Sequence, residues 1–384
     1  MRLPVYLDHN ATTPCDPGVL EAMLPYFAEN FGNAASRHHT LGWMAEDAVA
    51  EAREEVAQLI GADPAEIIFT SGATEADNLA IKGIFEEHFP GKGHIITAAT
   101  EHNAVLDTCR HLQQKGARVT VLPVGGDGLV DPAGLEAAIA PDTVLIALMY
   151  ANNETGVLQP MREISALAQK RGVLLFSDAV QAVGKIPLNV RDTGIDLMAF
   201  TAHKMYGPKG VGALYIRRRG QPVSLRAQMD GGGHERKLRS GTLNVPGIVG
   251  FGKAAALAAE RMEQDALHAA VLRDRLEDAL LQLSGTAVNG NREQRLPHVT
   301  NISFGGVEGE ELLTLLNNND IALSSGSACS SATTTPSHVL KAMGLDDVLA
   351  YASLRFSLGR SNTEEQISYT LRRIDEAVTA LRNP

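Results

Sequence analysis

The chain is poor in cysteine, in long apolar runs and in positive charge, and each shortage excludes a class of protein. Only three of its 384 residues are cysteines, Cys15, Cys109 and Cys329. An odd, sparse set is not a disulfide framework and favours a reducing compartment. No apolar run approaches the roughly 20 residues needed to cross a bilayer. The N-terminus becomes polar before the apolar core of a signal peptide could develop, so we expect a cytoplasmic protein.

The formal net charge of -11 opposes nonspecific binding to nucleic acid, which requires clustered cations. A hydrophobic fraction of 44% with 21% charged residues is ordinary for a globular protein. The length exceeds that of one average domain, and we expect two domains.

Short apolar runs alternate with amphipathic stretches between about residues 60 and 216. This alternation predicts an α/β fold with a mainly parallel sheet covered on both faces. An alanine- and leucine-rich stretch from Asn244 to about Leu283 predicts a long helix leading to a smaller C-terminal region with fewer strands. The seven runs that we predict as strands are Ile67–Phe69, His94–Thr97, Ala117–Leu122, Thr143–Tyr150, Val173–Phe176, Leu197–Phe200 and Val211–Ile216.

Lys204 is the first candidate site residue. It lies in Thr201-Ala202-His203-Lys204, between a strand-like run and the glycine-containing stretch that starts at Gly207. A lysine that leaves an apolar strand is constrained and partly desolvated, and such a lysine can form a Schiff base. A solvated surface lysine is the alternative for this segment taken alone.

Two further segments end predicted strands with polar residues. Asp178 follows the Val173–Phe176 run at the strand end where ligands of α/β sheets bind, although an aspartate there can also cap a helix. Next to a Schiff-base lysine, its carboxylate could keep a pyridine nitrogen protonated. Ser71-Gly72-Ala73-Thr74 precedes a helix-forming run, and the unpaired amides of such a helix start bind phosphate, to which Thr74 adds a hydroxyl.

With these three parts in place, the chain resembles the fold-type I pyridoxal phosphate enzymes, and among them the class V aminotransferase-like cysteine desulfurases of the housekeeping and nitrogen-fixation group. The resemblance extends over essentially the whole chain. Its matching segments are Tyr6 to Pro14, Ser71 to Glu75, Glu101-His102, Asn152 to Gly156, Asp178 to Gln181, the lysine motif, Ser325 to Ser330, and Arg355 to Arg360.

The resemblance implies a large cofactor domain of residues 15–250 and a small α/β domain of residues 1–14 and 251–384. It also implies that Lys204 holds pyridoxal 5'-phosphate and later moves the α-proton of the substrate. Thr242, in Arg239-Ser240-Gly241-Thr242, matches a position that reaches the phosphate in a neighbouring subunit, which requires a homodimer. The other implied roles are Asp178 at the pyridine nitrogen, Gln181 at the ring oxygen, Ala73, Thr74, Thr201 and His203 at the phosphate, Asn153 at the ring face or substrate carboxylate, and Arg355 at the substrate carboxylate, with Arg360 as second choice.

His102 and Cys329 complete the expected chemistry. His102 matches the histidine that stacks on the cofactor ring, and an imidazole can also deprotonate the substrate thiol. Cys329 lies among small residues without a large apolar anchor, so we expect its segment to carry a thiol between pocket and surface. As a thiolate it would attack the sulfur of L-cysteine, keep that sulfur as a persulfide and leave L-alanine. We expect no metal site.

Other functions remain open from the sequence alone. An aminotransferase has no use for the Cys329 segment, whereas a selenocysteine lyase would use the same parts. A noncatalytic scaffold of a sulfur pathway would not need Lys204, Asp178 and Cys329 together. The sulfur acceptor is an iron–sulfur scaffold or a thiolation protein, and the sequence does not choose between them.

Overall fold

A computed structural model describes residues 3–91, 93–325 and 335–383 of the chain. Its strands are β1 (Val5–Tyr6), β2 (Ile67–Thr70), β3 (His94–Ala98), β4 (Arg118–Leu122), β5 (Thr143–Ala147), β6 (Leu174–Asp178), β7 (Leu197–Thr201), β8 (Gly212–Ile216), β9 (Thr286–Val288), β10 (Val299–Phe304), β11 (Ile321–Ala322) and β12 (Ser353–Ser357). Its helices are α1 (Pro17–Met23), α2 (Pro25–Ala28), α3 (Thr40–Leu59), α4 (Ala73–His88), α5 (Asn103–Gln114), α6 (Pro132–Ala138), α7 (Met161–Arg171), α8 (Val190–Thr193), α9 (Val245–Leu280), α10 (Gly309–Asn318), α11 (His338–Ala342), α12 (Asp347–Tyr351) and α13 (Glu364–Arg382).

A seven-stranded sheet forms the centre of the larger part, in the order β2-β8-β7-β6-β5-β3-β4. Neighbouring strands from β7 to β4 run parallel, and β8 runs antiparallel to both β7 and β2. Each of the seven predicted runs contributes one strand, so the predicted mainly parallel sheet is confirmed.

The composition of the central strands explains why the sheet is covered on both faces. Every residue of β3, β5 and β7 is buried, as expected for strands packed between two layers of helices. One hydrophobic cluster joins the sheet to α3, α7 and α9, and a second joins its other face to α4 and α5. The C-terminal ends of the parallel strands therefore open at one edge between the two layers.

Helix α9 connects the large sheet to the C-terminal elements. It begins after Asn244, whose side chain accepts the Gly247 amide hydrogen, and continues for 36 residues. Its first half packs in the cluster that contains Phe251, and its second half, with Leu272 and Leu276, packs in a third cluster with the C-terminal strands and α13.

The N-terminal residues pack with these C-terminal elements. Val5 and Leu7 belong to the third cluster, and β1 pairs in parallel with β11. The antiparallel sheet β12-β10-β9 completes this region. Residues 1–14 as part of a small domain, with the boundary near residue 250, remain our prediction for the domain division. Within the described ranges, no helix has both the length and the apolar character that a membrane span needs.

Candidate active site

A cavity of about 600 Å³ opens at the C-terminal ends of β6 and β7 and at the N-terminal end of α4. Strand β6 ends at Asp178 and β7 at Thr201, so the sheet delivers polar side chains to the edge where α/β folds bind ligands. Ten residues predicted from the sequence line this cavity: Ala73, Thr74, His102, Asn153, Asp178, Gln181, Thr201, His203, Lys204 and Arg355.

Two predicted residues lie elsewhere, and the position of a third is not described. Thr242 is exposed and does not line the cavity of its own chain. Arg360 pairs with Asp16 and Asp265 and lines a different, smaller pocket. Cys329 lies outside the described residues.

Lys204 ends a single 3-10 turn, Ala202–Lys204, directly after β7. Gly207 makes this tight turn possible, because a Cβ at that position would lie 2.7 Å from the Ala202 Cβ. The Nζ atom donates hydrogen bonds to the carbonyl oxygens of Asn10, at 2.5 Å, and Ala11, at 2.8 Å. The amine is therefore aimed into the cavity from the sheet and held against the N-terminal segment.

Asp178 is 6% exposed, and its Oδ1 accepts the Val180 amide hydrogen at 3.0 Å. Burial raises its pKa, while His102 and Lys204 act in the opposite direction. Burial raises the pKa values of two more carboxyl groups, Asp77 and Glu101, well above the usual range, and the nearby charge of Asp178 raises both further. Among the described residues, Asp77 Oδ1 has no hydrogen-bond partner. The protonated ring nitrogen of a bound ligand would supply a positive charge that favours the ionised form of the Asp178 carboxyl group.

The start of α4 lines one side of the cavity. Gly72 is its N-cap residue, and no side chain caps the helix from that position. A Cβ built on Gly72 would meet nothing within 4 Å, so open space lies in front of the turn. Uncapped amide groups at the positive end of a helix are suited to a phosphate.

The other predicted phosphate ligands have contacts of their own. Thr201 Oγ1 donates to the Val211 carbonyl oxygen at 2.9 Å. His203 Nδ1 lies 3.1 Å from Thr12 Oγ1, and burial, with Lys204 and Lys209 nearby, lowers the pKa of His203 to about 4. A neutral His203 can therefore offer a phosphate one N–H, but no full positive charge.

His102 is the N-cap residue of α5. Its Nδ1 accepts the Ala104 amide hydrogen at 3.1 Å and so caps the helix. A neutral ring that caps in this way carries its proton on Nε2 and offers a donor on its other side. To act as a base, this ring would have to release the cap or turn.

Asn10 was missed by the sequence analysis although it connects most of the site. Its carbonyl oxygen accepts from Lys204 Nζ and from Gln181 Nε2, the latter at 3.1 Å. Its side chain contacts the Asn153 carbonyl oxygen and His298 Nε2. The only sequence signal for Asn10 was its place in the Tyr6 to Pro14 motif. No local pattern predicts which residue a lysine 194 positions away will contact.

Arg355 lies under the cavity and is almost completely buried. Its Nη1 donates to the Asn153 carbonyl oxygen at 3.0 Å and its Nη2 pairs with Asp8 Oδ1 at 2.7 Å. Its backbone amide donates to the Ser324 carbonyl oxygen at 2.7 Å, which fixes the last described residues before Cys329 beside the cavity. On the other side of the undescribed stretch, Ser337 Oγ donates to Glu154 Oε2 at 2.5 Å.

The two described cysteines are poorly placed for chemistry in the cavity. Cys15 is exposed, Cys109 is buried in α5, and neither lines the cavity. Burial raises the pKa of Cys109 to about 12. Neither thiol is therefore a candidate nucleophile.

The donor set fits pyridoxal 5'-phosphate. An amine at Lys204 matches its aldehyde, the buried carboxyl group of Asp178 matches its ring nitrogen, and the uncapped start of α4 matches its phosphate. The three groups line one cavity that has room for such a ligand.

Comparisons with known proteins agree with this geometry. The model of the class-V aminotransferase family matches residues 5–370. A cysteine desulfurase IscS of Anaeromyxobacter dehalogenans (strain 2CP-C) is 54% identical over 384 residues, which make up 100% of this chain and 94% of that protein. A cysteine desulfurase IscS of Vibrio campbellii (strain ATCC BAA-1116) is 52% identical over 100% of this chain and 95% of that protein. The solved structure of a NifS-like protein superposes with a TM-score of 0.92, at 40% identity, over 99% of this chain and 100% of that one.

Proposed function

Because the chain belongs to the class-V aminotransferase family and is a pyridoxal phosphate-dependent cysteine desulfurase, we propose that Lys204 and Cys329 divide its reaction between them. Lys204 holds the cofactor and moves the α-proton of L-cysteine, and Cys329 takes the sulfur. The observation that supports the first half is the meeting of Lys204, Asp178 and the start of α4 in one cavity.

When bound, pyridoxal phosphate supplies an electron sink for the charge left by the α-proton. Asp178 keeps the ring nitrogen protonated from its buried position at the end of β6. Lys204 Nζ takes the α-proton and later returns a proton to the carbon framework. Ala73 and Thr74, with Thr201 and His203, bind the phosphate, and Gln181 and Asn153 orient the ring and the substrate.

The sulfur transfer balances without any added oxidant or reductant. The Cys329 thiolate attacks the substrate sulfur, an S–S bond forms, and the C–S bond breaks with its electron pair left on carbon. That carbon is then protonated, so L-cysteine and a thiol become L-alanine and a Cys329 persulfide. His102 lines the cavity and accepts the proton of the substrate thiol, once its Nδ1 no longer accepts the Ala104 amide hydrogen.

Covalent reach supports Cys329 as the acceptor. Ser324 is fixed next to Arg355, which lines the cavity. Cys329 follows Ser324 by five residues, a length that spans at most about 18 Å when extended. Neither of the other two cysteines lines the cavity, which favours Cys329 further.

Arg355 is proposed to bind the substrate carboxylate. It forms part of the cavity wall, and its guanidinium group is already oriented by Asp8 and by the Asn153 carbonyl oxygen. A planar guanidinium held in this way offers directed donors to a carboxylate, as bidentate recognition requires. Asp8 then fixes the direction from which the substrate is bound.

A homodimer is proposed as the working form. Thr242 lies outside the cavity of its own chain, so it is available to a second copy. Several large apolar side chains near the N-terminal helices are exposed, which is typical of a surface that another chain covers. They are Leu20, Leu24, Phe27, Phe31, Trp43 and Met44.

The persulfide sulfur is proposed to pass, in the cytoplasm, to an iron–sulfur scaffold protein or to a thiolation protein. The IscS names of the two relatives compared above favour the iron–sulfur route. The protein itself holds the sulfur only until an acceptor thiol attacks the persulfide.

The proposal is tested by adding pyridoxal phosphate to the purified protein, removing the unbound ligand, and measuring the visible absorbance band that stays with the protein and the alanine formed from L-cysteine. We expect both in the parental protein and neither in Lys204→Ala. A Lys209→Ala variant is the matched control, because Lys209 also lines the cavity, and it should retain the absorbance band. Full alanine formation by Lys204→Ala would overturn the assignment.

A further inference from the structure

Glu75 places a carboxylate inside the turn that faces the phosphate. It is the third residue of α4, and its side chain folds back so that Oε2 accepts the Ser71 amide hydrogen at 2.8 Å. Both Ser71 and Glu75 line the cavity. The carboxylate thus fixes the shape of the turn from Ser71 to Thr74 whose amides face the cavity.

A negative charge at this position also works against an anionic ligand. A phosphate monoester carries about -1.5 to -2 charges at neutral pH, and a nearby carboxylate repels it. The helix start attracts the same phosphate. A turn that uses Glu75 for its shape therefore needs a cation to cancel its charge.

Arg239 provides that cation from a distant part of the chain. Its Nε donates to Glu75 Oε1 at 2.8 Å, and each side chain is 19% exposed. Burial by itself raises the pKa of Glu75, but the contacts with Arg239 and Ser71 outweigh it and the pKa lies below the usual value. Glu75 is thus ionised and paired.

The segment that carries Arg239 is fixed to the same strand and turn at a second point. Glu235 is buried, accepts the Phe69 amide hydrogen at 2.7 Å and pairs with Arg53. Phe69 belongs to β2, which leads directly into the turn. The backbone near Arg239 is therefore anchored to β2, and Arg239 is not a freely moving surface side chain.

We infer that Glu75 and Arg239 form a charge-compensated clamp, in which Glu75 shapes the phosphate turn and Arg239 removes the electrostatic penalty that Glu75 would impose on the phosphate. Both are positioning residues. The inference rests on the proposed role of the α4 start as the phosphate site and assigns the specificity for a phosphorylated ligand to this pair.

The test measures ligand dissociation constants on the full-length protein by absorbance titration, after removal of bound cofactor. The two probes are pyridoxal phosphate and pyridoxal, which lacks the phosphate. Arg239→Gln should weaken binding of pyridoxal phosphate by on the order of tenfold or more, because Glu75 is left uncompensated. It should change binding of pyridoxal by less than about twofold.

The double variant Glu75→Gln/Arg239→Gln gives the decisive comparison. Removing the uncompensated charge should restore several-fold of the lost affinity relative to Arg239→Gln alone, although it removes a second member of the clamp. Arg171→Gln is the matched control, because it removes an arginine from an exposed pair with Glu136 that does not line the cavity, and it should leave both affinities unchanged.

Two results would overturn the inference. In the first, the double variant binds pyridoxal phosphate no better than Arg239→Gln, which makes the pair a mechanical support only. In the second, Arg239→Gln weakens pyridoxal and pyridoxal phosphate equally, which removes the link to phosphate. A parental protein that binds neither probe would instead contradict the proposed function.

Discussion

At the scale of single residues, the site depends on residues that make contacts with both their backbone and their side chain. Asn10 holds Lys204 and Gln181 with one carbonyl oxygen and reaches His298 with its side chain. Arg355 pairs with Asp8 while its backbone fixes Ser324. Such sharing pre-organises a site, because each catalytic group is oriented before the substrate arrives.

His102 allows its structural and chemical roles to be separated by two variants. Asparagine can replace the helix cap but has no ring, whereas alanine replaces neither. We expect the free energy of unfolding of His102→Asn to lie within about 0.5 kcal/mol of the parental value and that of His102→Ala to be lower by about 1 kcal/mol. Both should lose alanine formation by about 100-fold or more.

Urea unfolding and alanine formation measure these two effects on the same samples. Normal turnover by His102→Asn would show that the ring contributes only the cap. A large loss of stability in His102→Asn would mean that the ring has packing contacts beyond those of an N-cap residue.

The cysteines give a second prediction at this scale. The buried Cys109 has a pKa near 12 and is almost all thiol at neutral pH, so alkylating reagents should not modify it in the folded protein. A Cys15→Ser/Cys109→Ser variant should form alanine at the parental rate. Peptide mass mapping after alkylation, together with the alanine assay, checks both statements, and rapid native labelling of Cys109 would contradict them.

At the scale of elements, the position of the turn from Ser71 to Thr74, the proposed phosphate site, depends on how closely β8 approaches it. A Cβ on Gly212, the first residue of β8, would lie 2.7 Å from the Gly72 carbonyl carbon and 2.9 Å from the Phe200 carbonyl oxygen. Both neighbours are backbone atoms and cannot rotate away. Glycine at position 212 therefore allows the turn to lie against the sheet.

Gly212→Ala should shift the turn and weaken the binding of pyridoxal phosphate. Overpacking at a buried site costs about 1 to 3 kcal/mol of unfolding free energy. Gly344→Ala is a useful comparison, because a Cβ there meets nothing within 4 Å and the residue does not line the cavity, although its φ of +93° adds backbone strain. Cofactor titration should show weaker binding for Gly212→Ala than for Gly344→Ala, and equal affinities would contradict the close-packing argument.

The elements themselves were largely predictable from the sequence, and the contacts between distant elements were not. Strand-forming runs such as Leu197–Phe200 are set by local composition, and β7 formed there. Lys204 and Asp178 were found because strand ends converge at one edge of a parallel sheet. Asn10, Asp77 and Arg239 were not assigned roles. The contacts of Asn10 with Lys204 and of Arg239 with Glu75 join segments separated by more than 100 residues and leave no local pattern. Asp77 in addition looks like an ordinary polar residue of α4, and only its burial distinguishes it.

At the scale of the whole molecule, the N-terminal segment ties the two regions together. Strand β1 pairs with β11, His9 forms a hydrogen bond with Ser357 at the end of β12, and Asn10 and Ala11 contact Lys204. The segment thus joins the C-terminal sheet to Lys204. The stability of the N-terminal segment is linked to the site, because detachment of this segment would remove the two carbonyl oxygens that hold Lys204 Nζ.

His9 makes this connection sensitive to acid. Burial, with Lys185 nearby, lowers the pKa of His9 to about 4, so its stabilising effect is complete above the unfolded pKa of 6.5 and is lost as the pH falls toward 4. Between pH 7 and pH 5 this residue should cost the folded state about 2 kcal/mol. Buried carboxyl groups such as Glu101, whose pKa values are raised, act in the opposite direction.

A difference between variants isolates the His9 contribution from those opposing groups. Urea unfolding at pH 7 and pH 5 should show a smaller loss of unfolding free energy for His9→Asn than for the parental protein, by about 2 kcal/mol. The loss at pH 7 alone is not informative, because the asparagine also leaves space beside Gly359. Parallel losses in the two proteins would contradict the assigned pKa.

The most direct test of the central claim follows the sulfur atom in a single turnover. The protein, loaded with pyridoxal phosphate, is mixed with one equivalent of L-cysteine labelled with ³⁵S, quenched with an alkylating reagent, and digested for peptide mapping. The account predicts one labelled persulfide on the peptide that contains Cys329, in equal amount to the alanine formed, and neither product in Cys329→Ser. Alanine formed at the parental rate by Cys329→Ser, or label on any other residue, would contradict the division of the reaction between Lys204 and Cys329.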